Sequence, residues 1–181
     1  IVSFEWEQVP TWTYRVGGVL LKKEISFDTS IHRIYIRYTL LDAHSETTLR
    51  LRPFLAFRSV RQWTHENNVA NRSYDEVENG IRMCLYQGYP DLYMQTSKPA
   101  QWNYCPDWYR GMDYPKERER GYYATEDLLV PGYFEMPIHK GETITFSAGV
   151  APIEPKQIDV MLEKEIANID HRDSFYHCLV N

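Results

Sequence analysis

Aromatic and charged residues are interleaved over one long stretch of this sequence, from Trp102 to Phe134. The stretch holds nine of the chain's 26 aromatic residues together with ten charged ones. A core strand would carry Val, Ile and Leu, and a solvated linker would carry few rings. Rings beside charges suit a surface that binds a polar ligand with flat apolar faces, such as a sugar. They suit a contact with another domain equally well, because Trp, Tyr and Arg also anchor protein interfaces.

Carboxylates are the second candidate for chemistry, because hydrolysis of a glycosidic bond uses two of them, roughly 5 to 10 Å apart. Glu126 and Asp127 are neighbours, and neighbours on a strand face opposite sides of the sheet. Glu117 and Glu119 could share a face, but the basic residues around them favour a loop that is held by its own ion pairs. We therefore expect no complete catalytic pair in this chain.

Three arginines form a further group, because Arg50, Arg52 and Arg58 fall on one face of a predicted strand. Their planar side chains could hold carboxylates or sugar hydroxyl groups through several hydrogen bonds. The alternative is that they neutralise part of the acidic excess on the same sheet.

Other kinds of site are disfavoured. The six histidines show none of the close spacings that zinc sites use, and neither a GxSxG nucleophile elbow nor a glycine-rich phosphate loop is present. We expect no metal and no cofactor. A net charge of -5 and a pI near 5.7 argue against nucleic acid and anionic membranes as partners. No run of about 18 apolar residues exists to span a membrane.

The cysteines bear on location. Cys84, Cys105 and Cys178 are odd in number, far apart and without a CxxC pair. They indicate buried thiols in a reducing compartment, and we expect a cytoplasmic protein. Because the chain begins at Ile1, we also expect that an upstream segment has been removed.

Period-two alternation predicts a long-stranded antiparallel sheet up to about residue 150. It predicts three strands in the first 60 residues, with apolar faces formed by Val19, Leu21, Ile25 and Phe27, then Ile34, Ile36, Tyr38 and Leu40, then Leu49, Leu51, Leu55 and Phe57. Pro53 places the third strand at an edge or a bulge. Val130-Pro131-Gly132-Tyr133 predicts a type II turn, so residues 122–129, 133–138 and 143–148 would form a meander. The connections at 60–79 and 110–121 are long enough to be functional.

The pattern changes near residue 152. Pro155 suits a first helical turn, and an apolar stripe follows at Ile158, Met161, Leu162, Ile166 and Ile169. A second short helical piece is expected through Phe175, Cys178 and Leu179. We thus predict an all-β fold, a large antiparallel β-sandwich over residues 1–152, followed by a helical linker over 153–181.

Two blocks of the sequence resemble the N-terminal domain of bacterial and archaeal-type glycogen debranching enzymes, the amylo-α-1,6-glucosidase family. They are LRLRPFLAFRSVRQWTHENN, from Leu49 to Asn68, and WYRGMDYPKERERGYYATEDLLVPGYFE, from Trp108 to Glu135. The segments WTYRVGGVLLKKEISF and RYTLLDA fit the same family in the same order. The similarity covers most of the chain, and the ordered combination of rare residues is more specific than any short motif.

The resemblance implies a galactose-mutarotase-like β-supersandwich that precedes an (α/α)6 barrel. The barrel would lie beyond Asn181 and carry the catalytic carboxylates for hydrolysis of α-1,6 branch points, so this chain would have no catalytic residues of its own. The start of such a domain would lie before Ile1, so that one or more strands would be missing. The partners implied are the barrel in cis and an α-glucan: glycogen, limit dextrin or a branched maltooligosaccharide.

The site residues follow from the aromatic stretch, which the resemblance would place near the mouth of the barrel. The expected stacking residues are Trp108, Tyr109, Tyr114, Tyr122 and Tyr123. The expected hydroxyl-binding residues are Glu117, Arg120, Glu126 and Asp127, and the residues expected at the substrate or the domain interface are Arg52 and Arg58. Three functions stay open: a non-catalytic glucan-binding domain, a purely structural domain, and a self-sufficient hydrolase.

Overall fold

The chain folds into two antiparallel sheets packed face to face, with a long helix on the outer side of the larger sheet. The structure is a computed structural model that describes the backbone of residues 1–180 and the side chains of residues 1–169. The predicted all-β sandwich with a C-terminal helix is confirmed.

Eight strands form the larger sheet, in the spatial order β1-β2-β3-β4-β11-β8-β7-β6. Their bounds are β1 Ser3–Trp6, β2 Pro10–Val16, β3 Val19–Asp28, β4 Arg33–Asp42, β6 Asp75–Val77, β7 Gly80–Met83, β8 Leu92–Thr96 and β11 Thr143–Gly149. The smaller sheet has the order β5-β10-β9, with β5 Thr47–Leu51, β9 Gln101–Asp113 and β10 Thr125–Ile138. The helices are α1 Pro115–Glu119 and α2 Pro155–Val180.

One apolar core fills the space between the sheets. Leu40, Ile144 and Phe146 of the larger sheet meet Leu49 and Phe134 of the smaller one, and all five side chains are buried. Alternate residues of each strand point inward, as the period-two pattern predicts. The hydrophobic burial between the two layers is therefore what holds the sandwich together.

Helix α2 packs on the outer face of the larger sheet. Ile158, Leu162 and Ile166 are buried there against Tyr35 of β4, as the apolar stripe predicts. The helix is continuous through Val180, so the expected break before a second helical piece is wrong, and the side chains of that piece lie outside the described residues. Neither helix, over its described residues, has the length and apolar character that a bilayer span requires.

The helix changes which residues of β3 and β4 are buried. Glu24 and Ser26 are buried although they lie on the polar face, whereas Phe27 on the apolar face is 52% exposed. Glu24 accepts hydrogen bonds from Arg37 at 2.9 and 3.1 Å and forms an ion pair with Lys22. Glu24 is tolerated under the helix because it is paired with Arg37 and Lys22.

Two local predictions are wrong. The third strand ends at Leu51 and not near residue 58; beyond Arg52 and Pro53 only one isolated bridge, Leu55 to Leu129, continues the ladder. The Pro131-Gly132 turn does not form, because β10 runs straight through it with an irregular register to β9. A β-carbon on Gly132 would lie 2.2 Å from the carbonyl oxygen of Asn103, so glycine permits the close approach of these two strands. A turn forms instead at residues 139–142, where the N–H of Glu142 donates to the carbonyl of His139 at 2.8 Å.

Candidate functional site

The aromatic and charged stretch forms a hairpin of β9 and β10, with α1 between the two strands. The long connection at residues 52–74 packs against this hairpin, and Asp127 N–H donates to the carbonyl of Thr64 at 2.8 Å. We call residues 110–127 the hairpin tip. The candidate site is built where this tip meets the connection.

Glu126 is the anchor of the junction. Its side chain is 1% exposed, and its two oxygens accept hydrogen bonds from Arg58 Nε at 2.7 Å and from Arg58 Nη2 at 2.8 Å. The Tyr114 hydroxyl donates to it at 2.6 Å, and the backbone N–H of Thr64 donates at 3.2 Å. The buried carboxylate thus accepts four hydrogen bonds. Through them Glu126 of β10 is linked to the connection and to Tyr114, the residue before α1.

Electrostatics agree with this geometry. Burial by itself raises the pKa of Glu126, but the hydrogen bonds from Arg58, Tyr114 and Thr64 outweigh it, so the pKa lies below its ordinary value of 4.5. The hydrogen bond to Glu126 raises the pKa of Arg58. Burial, followed by the bond to the Glu126 carboxylate, raises the pKa of Tyr114. Glu126 is therefore an ionised brace at neutral pH and not a general acid.

Asp127 braces the opposite side of the strand. Its carboxylate accepts the backbone N–H of Glu66 at 3.0 Å and that of Gly111 at 2.9 Å. These two bonds lower the pKa of Asp127. Glu126 and Asp127 thus face different partners, as their adjacent positions on a strand predict.

The rings of the junction pack on one another. Trp63 of the connection stacks on Tyr114 with ring centres 5.2 Å apart, and the Arg58 guanidinium lies 5.1 Å from the Trp63 ring centre. Tyr123 is 59% exposed, and its ring centre lies 6.4 Å from that of Trp63 and 5.8 Å from that of His65. Because Glu126 holds both Arg58 and Tyr114, it indirectly fixes the position of Trp63.

An open cleft of about 580 Å³ adjoins these rings, and we call it the aromatic cleft. Its lining residues are Phe57, Arg58, Gln62, Trp63, Thr64, His65, Asn67, Tyr86 and Tyr89. The side-chain amide of Gln62 and the hydroxyl of Tyr89 form no hydrogen bond with the described part of the chain, so both are available to a ligand. Its volume lies in the range of small-molecule sites, and ring faces beside free polar groups are what a sugar requires.

Trp108 is placed differently from the expectation. Its indole is 3% exposed and belongs to the core between the sheets. Its Nε1 is buried and has no hydrogen-bond partner among the described residues. The side chain of Trp108 points inward from β9 into the core. It therefore has no exposed ring face on which a sugar could stack.

The other expected tyrosines lie at the surface. Tyr122 is 66% exposed beside Tyr123. Tyr109 is 52% exposed on β9, and its ring packs edge-on against Phe54 at 5.0 Å, away from the residues that line the aromatic cleft. The structure thus brings Tyr114 and Tyr123 to Trp63, and it leaves Tyr122 exposed and Tyr109 elsewhere.

The charged residues of α1 are paired locally. Arg120 donates to Glu117 at 3.0 Å, and Lys116 donates to Glu119 at 3.0 Å. The expected loop held by its own ion pairs is found, in the form of a short helix. With Glu126 and Asp127 also engaged, each of the four carboxylates considered for hydrolysis already has a partner.

The three arginines do not share a strand face. Arg50 pairs with Glu135 at 2.6 Å and lies over the Tyr133 ring at 4.4 Å. Arg52, past the end of β5, lies 5.6 Å from the same ring. Arg58 pairs with Glu126 in the connection. The prediction of a common strand face is wrong, because the strand ends at Leu51 and only Arg50 lies within it.

Sequence reasoning missed most of the cleft. Gln62, Trp63 and His65 lie in the RQWTHENN segment, whose length and polar composition pointed to a functional connection without identifying the residues. Tyr86 and Tyr89 come from the segment after β7, and no local pattern linked them to the hairpin. Contacts between distant segments carry no periodic signal.

The thiols are also less buried than expected. Cys105 is exposed and Cys84 is half-buried, and both are free, while Cys178 lies outside the described side chains. The side chain of Cys105 points outward from β9. The number and spacing of the cysteines do not indicate the direction of a side chain. Over the residues with described side chains, no group of three or more His, Cys, Asp and Glu residues could hold a metal ion.

Comparison with known proteins gives one family. The family model described as "Glycogen debranching enzyme N terminal" matches residues 1–145, which spans both sheets up to β11. No curated protein and no solved structure matches the chain.

Proposed function

Because this chain belongs to the family of glycogen debranching enzyme N-terminal domains, we propose that it is a non-catalytic domain that binds or positions α-glucan. In this proposal it packs in cis on an (α/α)6 barrel that hydrolyses α-1,6 branch points of glycogen, limit dextrin or branched maltooligosaccharides. The protein would act in the cytoplasm, in glycogen catabolism.

The aromatic cleft is the observation that carries the sugar-binding part. Tyr123 exposes its ring beside the lining residues Trp63 and His65, and Gln62 and Tyr89 supply polar atoms that are free to bind hydroxyl groups. A glucose ring needs both, because its C–H faces stack on rings while its hydroxyl groups need hydrogen-bond partners. The Glu126 brace fixes this surface before a ligand arrives, which reduces the entropy cost of binding.

Isothermal titration calorimetry with a branched maltooligosaccharide tests the proposal on the 181-residue chain. We expect heat of binding, and we expect Tyr123→Ala to weaken the affinity by roughly 3- to 10-fold, since an aromatic contact is worth about 0.5–1.5 kcal/mol. Tyr104→Ala is the matched control, because Tyr104 is 47% exposed on β9 but packs against Tyr74. Equal affinities for both variants would remove the cleft from the proposal.

A purely structural domain is the second candidate, and the placement of Trp108, Glu126 and Asp127 favours it. All three were expected at the sugar, yet one is a core residue and two are saturated braces. Such a domain would bind no glucan by itself. In the complete enzyme, Tyr123→Ala would then leave the Michaelis constant for branched glucan unchanged, whereas the sugar-binding domain predicts that it rises.

A further inference from the structure

A second pocket lies on the outer face of the smaller sheet and shares no lining residue with the aromatic cleft. Its volume is about 440 Å³, and its lining residues include Arg52, Cys105, Asp107, Tyr109 and Val130. We call it the sheet pocket. Arg52 and Tyr109 are residues that the sequence predicts at the substrate, and the aromatic cleft uses neither of them.

The strands determine which way these side chains point. Leu51 of β5 is buried in the core, so Arg52 continues the outward side of the alternation. Tyr109 follows the buried Trp108 on β9 and therefore also points outward. Val130 of β10, the strand between them, is buried and forms the floor. A strand added at either edge of the smaller sheet would lie in the plane of the sheet and leave this face open.

Tyr109 gives the sheet pocket an apolar surface. Its ring is 52% exposed, and an edge-on contact with Phe54, with ring centres 5.0 Å apart, holds it in place. Its hydroxyl group forms no hydrogen bond with the described part of the chain. The side chain therefore offers a ring surface for C–H groups and a polar atom at the end of the ring.

Arg52 and Asp107 add a donor and an acceptor. Arg52 forms no hydrogen bond and no ion pair with the described residues, and its guanidinium lies 5.6 Å from the centre of the Tyr133 ring. Asp107 is exposed, and one of its oxygens accepts the N–H of Trp108 at 2.8 Å and lies 3.9 Å from Arg110. A sugar hydroxyl group both donates and accepts, so a pocket with both kinds of group suits a sugar. An anion would be repelled by Asp107.

We propose that the sheet pocket is a second binding site for α-glucan, which takes one stretch of the polymer while the aromatic cleft takes another. The inference rests on the proposed function, because the family supplies the nature of the sugar. Tyr109 stacks on a glucosyl ring, and Arg52 and Asp107 bind its hydroxyl groups. Two weak sites on one domain bind a branched polymer more tightly than one site, because the second contact is intramolecular once the first has formed.

Cys105 allows a test that does not depend on the aromatic cleft, because its free thiol is exposed in the sheet pocket. The probe is maltotriose, and the measurement is the rate at which iodoacetamide alkylates Cys105 in the 181-residue chain, followed by mass spectrometry of the peptide that contains it. We expect saturating maltotriose to lower this rate at least about threefold, because bound sugar covers the thiol. Sorbitol, which has hydroxyl groups but no ring, should not lower it.

Variants assign the protection to the sheet pocket. Each variant is judged by the ratio of its alkylation rates with and without maltotriose, so that a change in the reactivity of the thiol itself does not count. Tyr109→Ala and Arg52→Ala should each abolish the protection, because each removes an exposed sugar contact. Tyr123→Ala, beside the aromatic cleft, should keep it. Arg15→Ala, at an exposed arginine of β2, is the matched control for Arg52→Ala and should also keep it.

The outcomes separate the two sites. Absence of protection in the wild-type chain, or equal protection by sorbitol, would overturn the second site and leave the aromatic cleft as proposed. Protection that is lost in Tyr123→Ala and kept in Arg52→Ala would also overturn it, because the effect would then come from the cleft. A Cys105 thiol that is unreactive in the complete enzyme without sugar would identify the sheet pocket as a domain contact and would overturn the proposal too. Protection that persists when calorimetry finds no effect of Tyr123→Ala would support the sheet pocket and remove the cleft.

Discussion

Glu126 shows how one residue organises a surface that it does not itself form. Its carboxylate is buried and accepts hydrogen bonds from Arg58, Tyr114 and Thr64. The Trp63 ring packs on Arg58 and Tyr114 and does not contact Glu126 through a hydrogen bond of its own. An amide in its place would keep the shape but direct an NH₂ group at donors, because a carboxylate accepts at both oxygens and an amide at one only. The charge is therefore needed, not only the volume.

Glu126→Gln should destabilise the chain by about 3 kcal/mol at pH 7, because it leaves the Arg58 charge without its partner. The wild-type pKa in the folded state lies below 4.5, so the stabilisation is complete above pH 4.5 and is lost as the pH falls through the folded pKa. The variant should lack this loss. Denaturant unfolding over a pH series measures both effects. Glu119→Gln is the control, because Glu119 pairs with the exposed Lys116 at the surface, and a loss as large as that of Glu126→Gln would contradict the brace.

Trp108 and Tyr109 are neighbours with opposite environments, 3% and 52% exposed. Trp108→Ala should lower the free energy of unfolding by about 3–5 kcal/mol, since it removes a large core side chain. Tyr109→Ala should cost much less, because its ring contacts mainly Phe54 at the surface. Chemical denaturation of both variants compares them. Similar losses would show that Trp108 is not a core residue.

At the scale of elements, α2 decides which face of the larger sheet is solvent-exposed. It covers Tyr35 and leads to burial of Glu24 and Ser26, so the polar face of β3 and β4 becomes an interior face. Charged residues remain there because Glu24 is paired with Arg37, while Arg33 donates hydrogen bonds to Ser147 and to the carbonyl of Ala151. The helix is thus part of the sandwich, and its role as a linker to a barrel stays a prediction.

Ile158→Ala should destabilise the chain by about 2–5 kcal/mol, because the side chain is fully buried between α2 and the sheet. Val160→Ala is the matched control on the opposite side of the helix, where Val160 is 58% exposed. Its cost should stay within about 0.5 kcal/mol. Urea unfolding followed by circular dichroism measures both, and equal losses would contradict the packing of α2.

At the scale of the whole molecule, the two sheets are unequal, and the order β4-β11-β8 joins strands that are far apart in sequence. Strand β11 is paired on both sides and carries the buried residues Ile144, Thr145 and Phe146. Strand β1 lies at an edge and is mostly exposed. Stability should therefore be concentrated at the centre of the larger sheet.

Amide hydrogen exchange tests this distribution. The amides of Ile144 and Phe146 should exchange at least about a hundredfold more slowly than those of β1, a difference of roughly 3 kcal/mol in opening free energy. Central amides open only with the core, whereas edge amides open locally. Equal protection in β1 and β11 would contradict the sheet order.

The sequence by itself determined the antiparallel sandwich, the inward residues of most strands, the apolar stripe of α2 and the family. These follow from periodicity and from ordered residue combinations, which are local properties of a chain. It also indicated that Glu126 and Asp127 act apart, since adjacent strand residues diverge. Tertiary structure alone decided that β10 passes through Pro131-Gly132, because the close approach of Asn103 is invisible in the local turn pattern. It alone placed Trp108 in the core, brought Trp63 and Tyr89 into the lining of one cleft and set Tyr123 against Trp63, because packing between distant segments sets which residues meet.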